Sequence, residues 1–214
     1  MNDNKTIKYT ALAGSFGSAL FVIVFMVEGW LRPGYSTLST YVSALSLGPR
    51  GWVQISNFIV SGILMLVFSR GVANAFKKEK RSQAGPVLLG IVSAGMFLSG
   101  PFVMDPMGTL PAQASLHGLV HGITGSIVFL LMPVSCLVCY RRLRIEPGWH
   151  AFSKWTLIVG ILLTVTLIIF TCATKIPALH MIDSHWFGLL QRLVLVPFMF
   201  WVFTFAVVMY NRHC

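Results

Sequence analysis

The chain has 214 residues, of which 56% are hydrophobic and only 10% are charged, and its formal net charge is +10. A soluble domain normally carries about 25% charged residues, so this composition excludes an ordinary soluble protein. It predicts an integral membrane protein whose partners are membrane lipids. In a membrane protein, positive charge marks the cytoplasmic loops and attracts anionic lipids. The net charge therefore does not indicate a nucleic-acid partner.

Six apolar stretches are long enough to cross a bilayer as helices, which takes roughly 17–25 residues each. In chain order they cover residues 10–31, 53–76, 85–104, 116–140, 155–173 and 186–210. The connections between them are short, and no long linker interrupts them. The sequence therefore predicts an all-α polytopic membrane protein, a single domain over residues 1–214 built as a bundle of six transmembrane helices.

The basic residues predict the orientation of this bundle, because cytoplasmic loops carry an excess of Lys and Arg. One set of helix ends and loops holds Lys5, Lys8, Arg70, Lys77, Lys78, Lys80, Arg81, Arg141, Arg142, Arg144, Lys154 and Arg212. The opposite set holds only Arg32, Arg50 and Lys175. This asymmetry predicts a plasma-membrane protein with both termini in the cytoplasm and with residues 32–52, 105–115 and 174–185 outside.

The first outer loop contains a short amphipathic pattern. Serines and threonines fall at positions 36, 39, 40 and 43, among others, and apolar residues fall at positions 38, 41, 42 and 45, among others. Both sets follow the i, i+3, i+4, i+7 spacing that is typical of a helix. One or two helical turns are expected there, either lying on the membrane surface or folding over the bundle as a lid.

The fourth apolar stretch combines small residues with two histidines. Gly118, Gly122 and Gly125 lie on one side of it, and their spacing predicts close packing against another helix. His117 and His121 are four residues apart, so they share a helix face about 6 Å apart along the axis. Because one metal ion can reach two imidazoles at this spacing, the pair is a candidate half of a zinc site.

Further polar residues are predicted at a similar depth near the outer ends of the helices. They are Glu28, Gln54, Asn57, Asp105, His180, Asp183, His185, Gln191 and Arg192. An ionisable group inside the bilayer costs on the order of 2.5–3.5 kcal/mol on insertion scales, so it should face the interior and find a partner. We therefore expect Arg192 to point into the bundle and to pair with Glu28 or Asp105.

Several segments together resemble a bacterial six-span membrane protein family catalogued as domain of unknown function 998. The segments are "YSTLSTYVSALSLGPRGWVQISNFIVSGIL", "GPFVMDP", "HGLVHG" and "GLLQRL". The resemblance covers nearly the whole chain and implies a six-helix membrane bundle, but it implies no known activity.

A looser similarity is to the membrane hydrolases of the alkaline ceramidase and progestin/adiponectin-receptor superfamily, which use a Ser, an Asp and three His around zinc. In that analogy Ser43, Asp105, His117 and His121 would take the corresponding parts. The match departs in two respects. That superfamily has seven spans, and its paired histidines lie on the last of them, whereas here the pair lies on the fourth of six.

Two functions fit these observations. The first is a binding or transport-associated membrane protein with an outward-facing polar pocket for a small molecule or a lipid headgroup. Its ligand-binding residues would be Glu28, Gln54, Asn57, Gln191 and Arg192.

The alternative is a zinc-dependent membrane hydrolase acting on a lipid amide or ester. Zinc would be held by His117, His121 and either His180 or His185. The metal would activate a water molecule, and Asp105 would act as the general base. The sequence leaves open whether the protein is an enzyme.

The orientation predicts which loops can be labelled in intact cells. Ser82→Cys should not react with a membrane-impermeant thiol reagent, because the loop that contains it is expected in the cytoplasm. Gln113→Cys should react, because its loop is expected outside. The parent protein, with its native cysteines, sets the background, and the reverse labelling pattern would refute the orientation.

Overall fold

The computed structural model describes residues 3–76, 82–176 and 184–213 of the chain. Six α-helices occupy these ranges: α1 (Asp3–Leu31), α2 (Gly51–Ala75), α3 (Ala84–Leu98), α4 (Leu116–Leu143), α5 (His150–Lys175) and α6 (Phe187–Arg212). Short 3-10 helices lie in the connections, at Val42–Ser46, Pro111–Gln113 and Ser184–Trp186. No strand occurs in these ranges, which confirms the predicted all-α class.

Five of the helices are long and apolar enough to cross a membrane, and α3 is a shorter apolar helix. The chain is thus a multi-pass helical membrane protein. The predicted third span, residues 85–104, is too long, because α3 has 15 residues and ends at Leu98. Pro101 has no backbone N–H and disfavours helical geometry in the residue before it, and the chain leaves the helix through a turn at residues 99–101.

Helices that follow one another in the chain pack side by side, and α6 returns to pack against α1. This arrangement closes the bundle. Residues 32–50, which connect α1 to α2, fold over one end of it. We call this segment the cap, and we call the end that carries it the cap end. The opposite end carries Arg141, Arg142 and Arg144, and we call it the basic end.

The core of the bundle is built around α6. Phe198, Trp201 and Phe205 on this helix are almost completely buried. The ring of Phe205 contacts the rings of Phe68, Phe76, Trp149, Phe152 and Trp201. Aromatic side chains bury large apolar areas, so they dominate the packing energy of a protein core. These rings form an aromatic cluster in the half of the bundle toward the basic end.

Glycines allow close helix contacts in α2 but not in the part of α4 where they were expected. A β-carbon added at Gly62 would lie 2.6 Å from the backbone nitrogen of Phe97 in α3. At Gly122 and Gly125 an added β-carbon would meet nothing within 4 Å. The predicted helix packing against these two glycines is thus wrong, because the half of α4 toward the cap end leaves open space on that side.

Replacing glycine with alanine should have opposite effects on stability at Gly62, which is packed against α3, and at Gly122, which faces open space. Gly62→Ala should lower the free energy of unfolding by about 1–3 kcal/mol, because α2 and α3 must separate to admit the methyl group. Gly122→Ala should be neutral or slightly stabilising, because alanine favours a helix more than glycine does. Thermal unfolding in detergent measures both, and equal effects would contradict the packing described here.

Candidate functional site

The two ends of the cap are held together by one carboxylate. Glu28 lies in the last turn of α1, and its side chain is only 3% exposed. Its oxygens accept hydrogen bonds from Arg32 Nη2 at 3.1 Å, from Arg50 Nε at 2.9 Å and from Arg50 Nη2 at 2.7 Å. The bond to Arg50 is bidentate, which is the strong form of this pair. Because Arg32 begins the cap and Arg50 ends it, Glu28 closes the cap into a loop.

The middle of the cap is held by Arg192, which is 7% exposed. Its Nη1 donates to the carbonyls of Thr37 at 2.7 Å, Thr40 at 3.1 Å and Gly188 at 2.9 Å. Its Nη2 donates to the Tyr35 hydroxyl at 2.6 Å. Arg192 therefore joins the start of α6 to the cap.

The expected pairing of Arg192 with Glu28 or Asp105 is wrong, although its inward direction is as predicted. The oxygens of Glu28 are taken by Arg32 and Arg50. Backbone carbonyls are an alternative partner for a buried cation, and the irregular backbone of the cap presents several of them to the guanidinium. The carbonyls thus solvate the charge without a carboxylate.

Backbone contacts complete the attachment of the cap to α6. The N–H of Leu189 donates to the carbonyl of Leu38 at 2.8 Å. The N–H of Val42 donates to Gln191 Oε1 at 2.6 Å. A β-carbon at Gly188 would lie 2.7 Å from the Thr37 carbonyl oxygen, so only glycine permits this close approach.

The 3-10 helix Val42–Ser46 lies inside the bundle. Val42 and Leu45 are fully buried, and Ser43 is 8% exposed. The amphipathic pattern predicted one or two helical turns, and the structure has only this 3-10 helix of 5 residues. Of the two predicted positions, the segment adopts the lid over the bundle. Arg192 and Gln191 anchor its start, and Arg32 Nη1 donates to the carbonyl of Leu47 just after its end, at 2.9 Å.

Asp105 and the histidine pair fasten the start of α4. Asp105 Oδ2 accepts from the backbone N–H of Ser115 at 2.9 Å, and Ser115 Oγ accepts from the N–H of Gly118 at 2.9 Å. A carboxylate near a helix N-terminus is stabilised by the helix dipole. The two histidines contact backbone carbonyls, His117 Nδ1 that of Pro101 at 3.2 Å and His121 Nδ1 that of Phe102 at 2.7 Å.

The zinc ligands proposed from the sequence are not assembled in the part of the chain that the structure describes. Within those residues, no three His, Cys, Asp or Glu side chains are grouped so that they could hold a metal ion. His185 is exposed and is not grouped with His117 and His121. His180 lies outside the described residues.

An open cleft of about 590 Å³ lies between α4 and α5 at the cap end. Its α4 wall includes Gly118, His121, Gly122, Gly125, Ser126 and Leu130, and its α5 wall includes Leu167, Phe170, Thr171, Thr174 and Lys175. Tyr41 and Ser43 of the cap, Asp105 and Gln191 complete the lining. Of the residues proposed from the sequence, the cleft thus brings together Ser43, Asp105, His121 and Gln191.

A small chamber of about 40 Å³ lies beneath the cleft. Ser43, His121, Gly125, Phe129 and Gln191 line both spaces. A volume of this size holds about one or two water molecules. The cleft therefore narrows inward to a point where polar side chains from the cap, α4 and α6 meet.

Glu28, Gln54, Asn57 and Arg192 do not line the cleft. Asn57 Nδ2 donates to the Phe21 carbonyl at 3.1 Å and to Gln54 Oε1 at 3.2 Å, and Ser61 Oγ donates to Asn57 Oδ1 at 3.3 Å. Gln54, Asn57 and Ser61 therefore form a buried chain of hydrogen bonds on α2, and Asn57 joins this chain to α1. These residues stabilise the bundle and lie away from the cleft.

Tyr41 and Lys175 line the cleft but were not among the predicted site residues. The ring of Tyr41 stacks on that of Phe187 at 5.9 Å and meets Phe170 edge-on at 6.2 Å. Burial raises the pKa of Tyr41 to about 12, so its phenol stays neutral and keeps its proton. The sequence offered one signal for Tyr41, its place in the apolar series of the cap. For Lys175 the sequence offered no signal of a site, because this residue entered only the count of basic residues that predicts the orientation.

Comparison with known proteins agrees with the family expected from the sequence. A family model described as "Protein of unknown function (DUF998)" matches residues 15–208. The chain belongs to this family. No curated protein matches the chain, and no solved structure matches it. The family carries no assigned activity, so a function has to be argued from the cleft and its residues.

The contacts of the cap predict which pairs of substitutions are coupled. Arg192→Leu should lower stability, because unpartnered buried acceptors cost about 1–3 kcal/mol each. Adding Glu28→Gln should recover none of this loss, because the two side chains have different partners. Arg50→Gln and Glu28→Gln should instead cost less together than the sum of their separate effects. Thermal unfolding of the single and double variants measures these couplings, and recovery in the Arg192 and Glu28 pair would contradict the arrangement.

Proposed function

We propose that this member of the DUF998 family binds an amphipathic molecule of the membrane in the cleft between α4 and α5. The observation that carries the proposal is the cleft itself, which combines apolar walls with a polar inner end. Concave sites of a few hundred Å³ with mainly apolar walls and a few polar groups are the usual form of a ligand site.

The position of the cleft favours a ligand that enters from the bilayer. Only 33% of the spanning window of α4 and 28% of that of α5 is buried, against 50% for α6. Helices α4 and α5 therefore lie at the periphery of the bundle, where lipid surrounds them. Leu130 on the cleft wall is 60% exposed, so an acyl chain lying there would exchange one apolar contact for another.

The polar groups of the cleft are concentrated at the cap end. They include Tyr41, Ser43, Asp105, Thr174, Lys175 and Gln191. The chemistry of the lining thus changes along the cleft from apolar to polar. An amphipathic molecule would match this gradient by placing its headgroup toward the cap and its chain between α4 and α5.

The basic residues support an orientation for this site. With both termini in the cytoplasm of a cell whose plasma membrane holds the protein, the cap end would face outward, and the cleft would open into the outer leaflet. Among the described residues no group of three zinc ligands comes together, so the geometry supports binding better than zinc-dependent hydrolysis. Ser43 and Asp105 are accordingly assigned to binding in this proposal.

Filling the cleft tests the proposal. Gly122→Leu and Gly125→Leu place a side chain in space where nothing lies within 4 Å. Both variants should fold and should lose most of the lipid that the purified protein retains after detergent exchange. Mass spectrometry of the intact complexes measures the bound lipid per chain.

The control for this experiment is Gly90→Leu. It adds the same side chain on α3, in a groove toward α2 that does not border the cleft. An added β-carbon there meets only Ser69 Oγ, at 3.5 Å. This variant should retain lipid like the parent protein. Equal lipid retention by all three variants and the parent would overturn the proposed function.

A further inference from the structure

Two side-chain hydrogen-bond donors, the Ser43 hydroxyl and the Gln191 amide, belong to residues that line the inner end of the cleft. Ser43 is 8% exposed and Gln191 is 7% exposed. Among the described residues, neither the hydroxyl of Ser43 nor the amide nitrogen of Gln191 has a hydrogen-bond partner, although both residues line the cleft and the chamber. Because both residues line the cleft and the chamber, a ligand that enters the cleft can supply an acceptor to these donors.

The orientation of Gln191 follows from its contact with the cap. Its Oε1 accepts from the N–H of Val42 at 2.6 Å. An N–H group needs an acceptor, so the amide oxygen must face Val42, and Nε2 is the group left over. Ser43, the residue after Val42, lines the same cleft and the same small chamber as Gln191. The docked cap thus brings both donors to one chamber.

We propose that Ser43 and Gln191 bind the carbonyl oxygen of an acyl ester, with the ester's chain lying between α4 and α5. This inference rests on the proposed function and names the chemical class of its ligand. A carbonyl oxygen has two lone pairs, and it can accept from both donors at once. It carries no charge, so it can be buried next to neutral donors without a counter-ion.

An anionic group fits the inner end less well. The nearby cation, Arg192, already donates to three carbonyls and one hydroxyl. A phosphate or carboxylate beside Ser43 would therefore lose its hydration without gaining an opposite charge. The charged residues that line the cleft are Asp105 and Lys175, and they lie where a headgroup would sit. The order of headgroup, ester carbonyl and chain in a lipid matches this arrangement.

The test compares ester and ether lipids that differ only in the carbonyl. The probes are 1-palmitoyl-lysophosphatidylglycerol, its 1-O-hexadecyl ether analogue, and the corresponding two-chain ester and ether lipids. Native mass spectrometry of the full chain measures the affinity for each. The parent protein should bind an ester about tenfold more tightly than its ether analogue. Preference for the one-chain or the two-chain ester identifies the source of the acyl group.

Ser43→Ala should reduce this ester preference to about twofold or less, because it removes a hydroxyl that has no partner in the described protein. Ser46→Ala is the matched control. It removes a hydroxyl from the same 3-10 helix that already donates to the Ser43 carbonyl at 2.6 Å, and Ser46 does not line the cleft. This control should keep the full ester preference.

The possible failures are distinguishable. If ester and ether bind the parent equally and Gly125→Leu weakens both, the carbonyl proposal is overturned and the proposed function stands. Equal binding is also the expected result if a water molecule permanently accepts from both donors. If no probe binds the parent, or if Gly125→Leu leaves binding of every probe unchanged, both proposals fail. A full ester preference in Ser43→Ala overturns the role of Ser43.

Discussion

The cap end of this protein depends on the solvation of one buried guanidinium. Arg192 lies on α6 with little access to solvent, and a cation at that depth needs several acceptors. Most helix carbonyls already accept a bond within their own helix, so an irregular backbone segment is the main source of further acceptors. The cap supplies them from Thr37 and Thr40. Arg192 therefore requires an irregular segment to enter the bundle, and this requirement places the cap.

The position of the cap determines the chemistry of the cleft. Once Thr37 and Thr40 are bound to Arg192, the segment that follows is fixed by the bond between Val42 and Gln191. Tyr41 and Ser43 then border the cleft, and Glu28 closes the cap through Arg50. Glu28 and the Nη atoms of Arg192 find partners within the protein, whereas Arg192 Nε has none among the described residues. Ser43 and Gln191, which line the inner end of the cleft, are the residues that we propose as ligand contacts.

The cleft itself follows from the way α4 begins. Helix α3 is short, and the non-helical chain after it is tied to α4 by Asp105, His117 and His121. These bonds hold the first turns of α4 toward α3. The glycine side of α4 is left facing open space and not another helix. The cluster that first suggested a metal site in the sequence thus positions a helix wall.

The sequence by itself determined the helical bundle, the family and the inward direction of Arg192, because apolar length and the cost of a charge in lipid are local properties of a segment. Only the tertiary structure decided that Arg192 binds carbonyls, that Gly122 and Gly125 face a cleft, and that Ser43 meets Gln191. These outcomes depend on where the irregular backbone of the cap packs in the bundle. Neither hydropathy nor helical periodicity encodes that position.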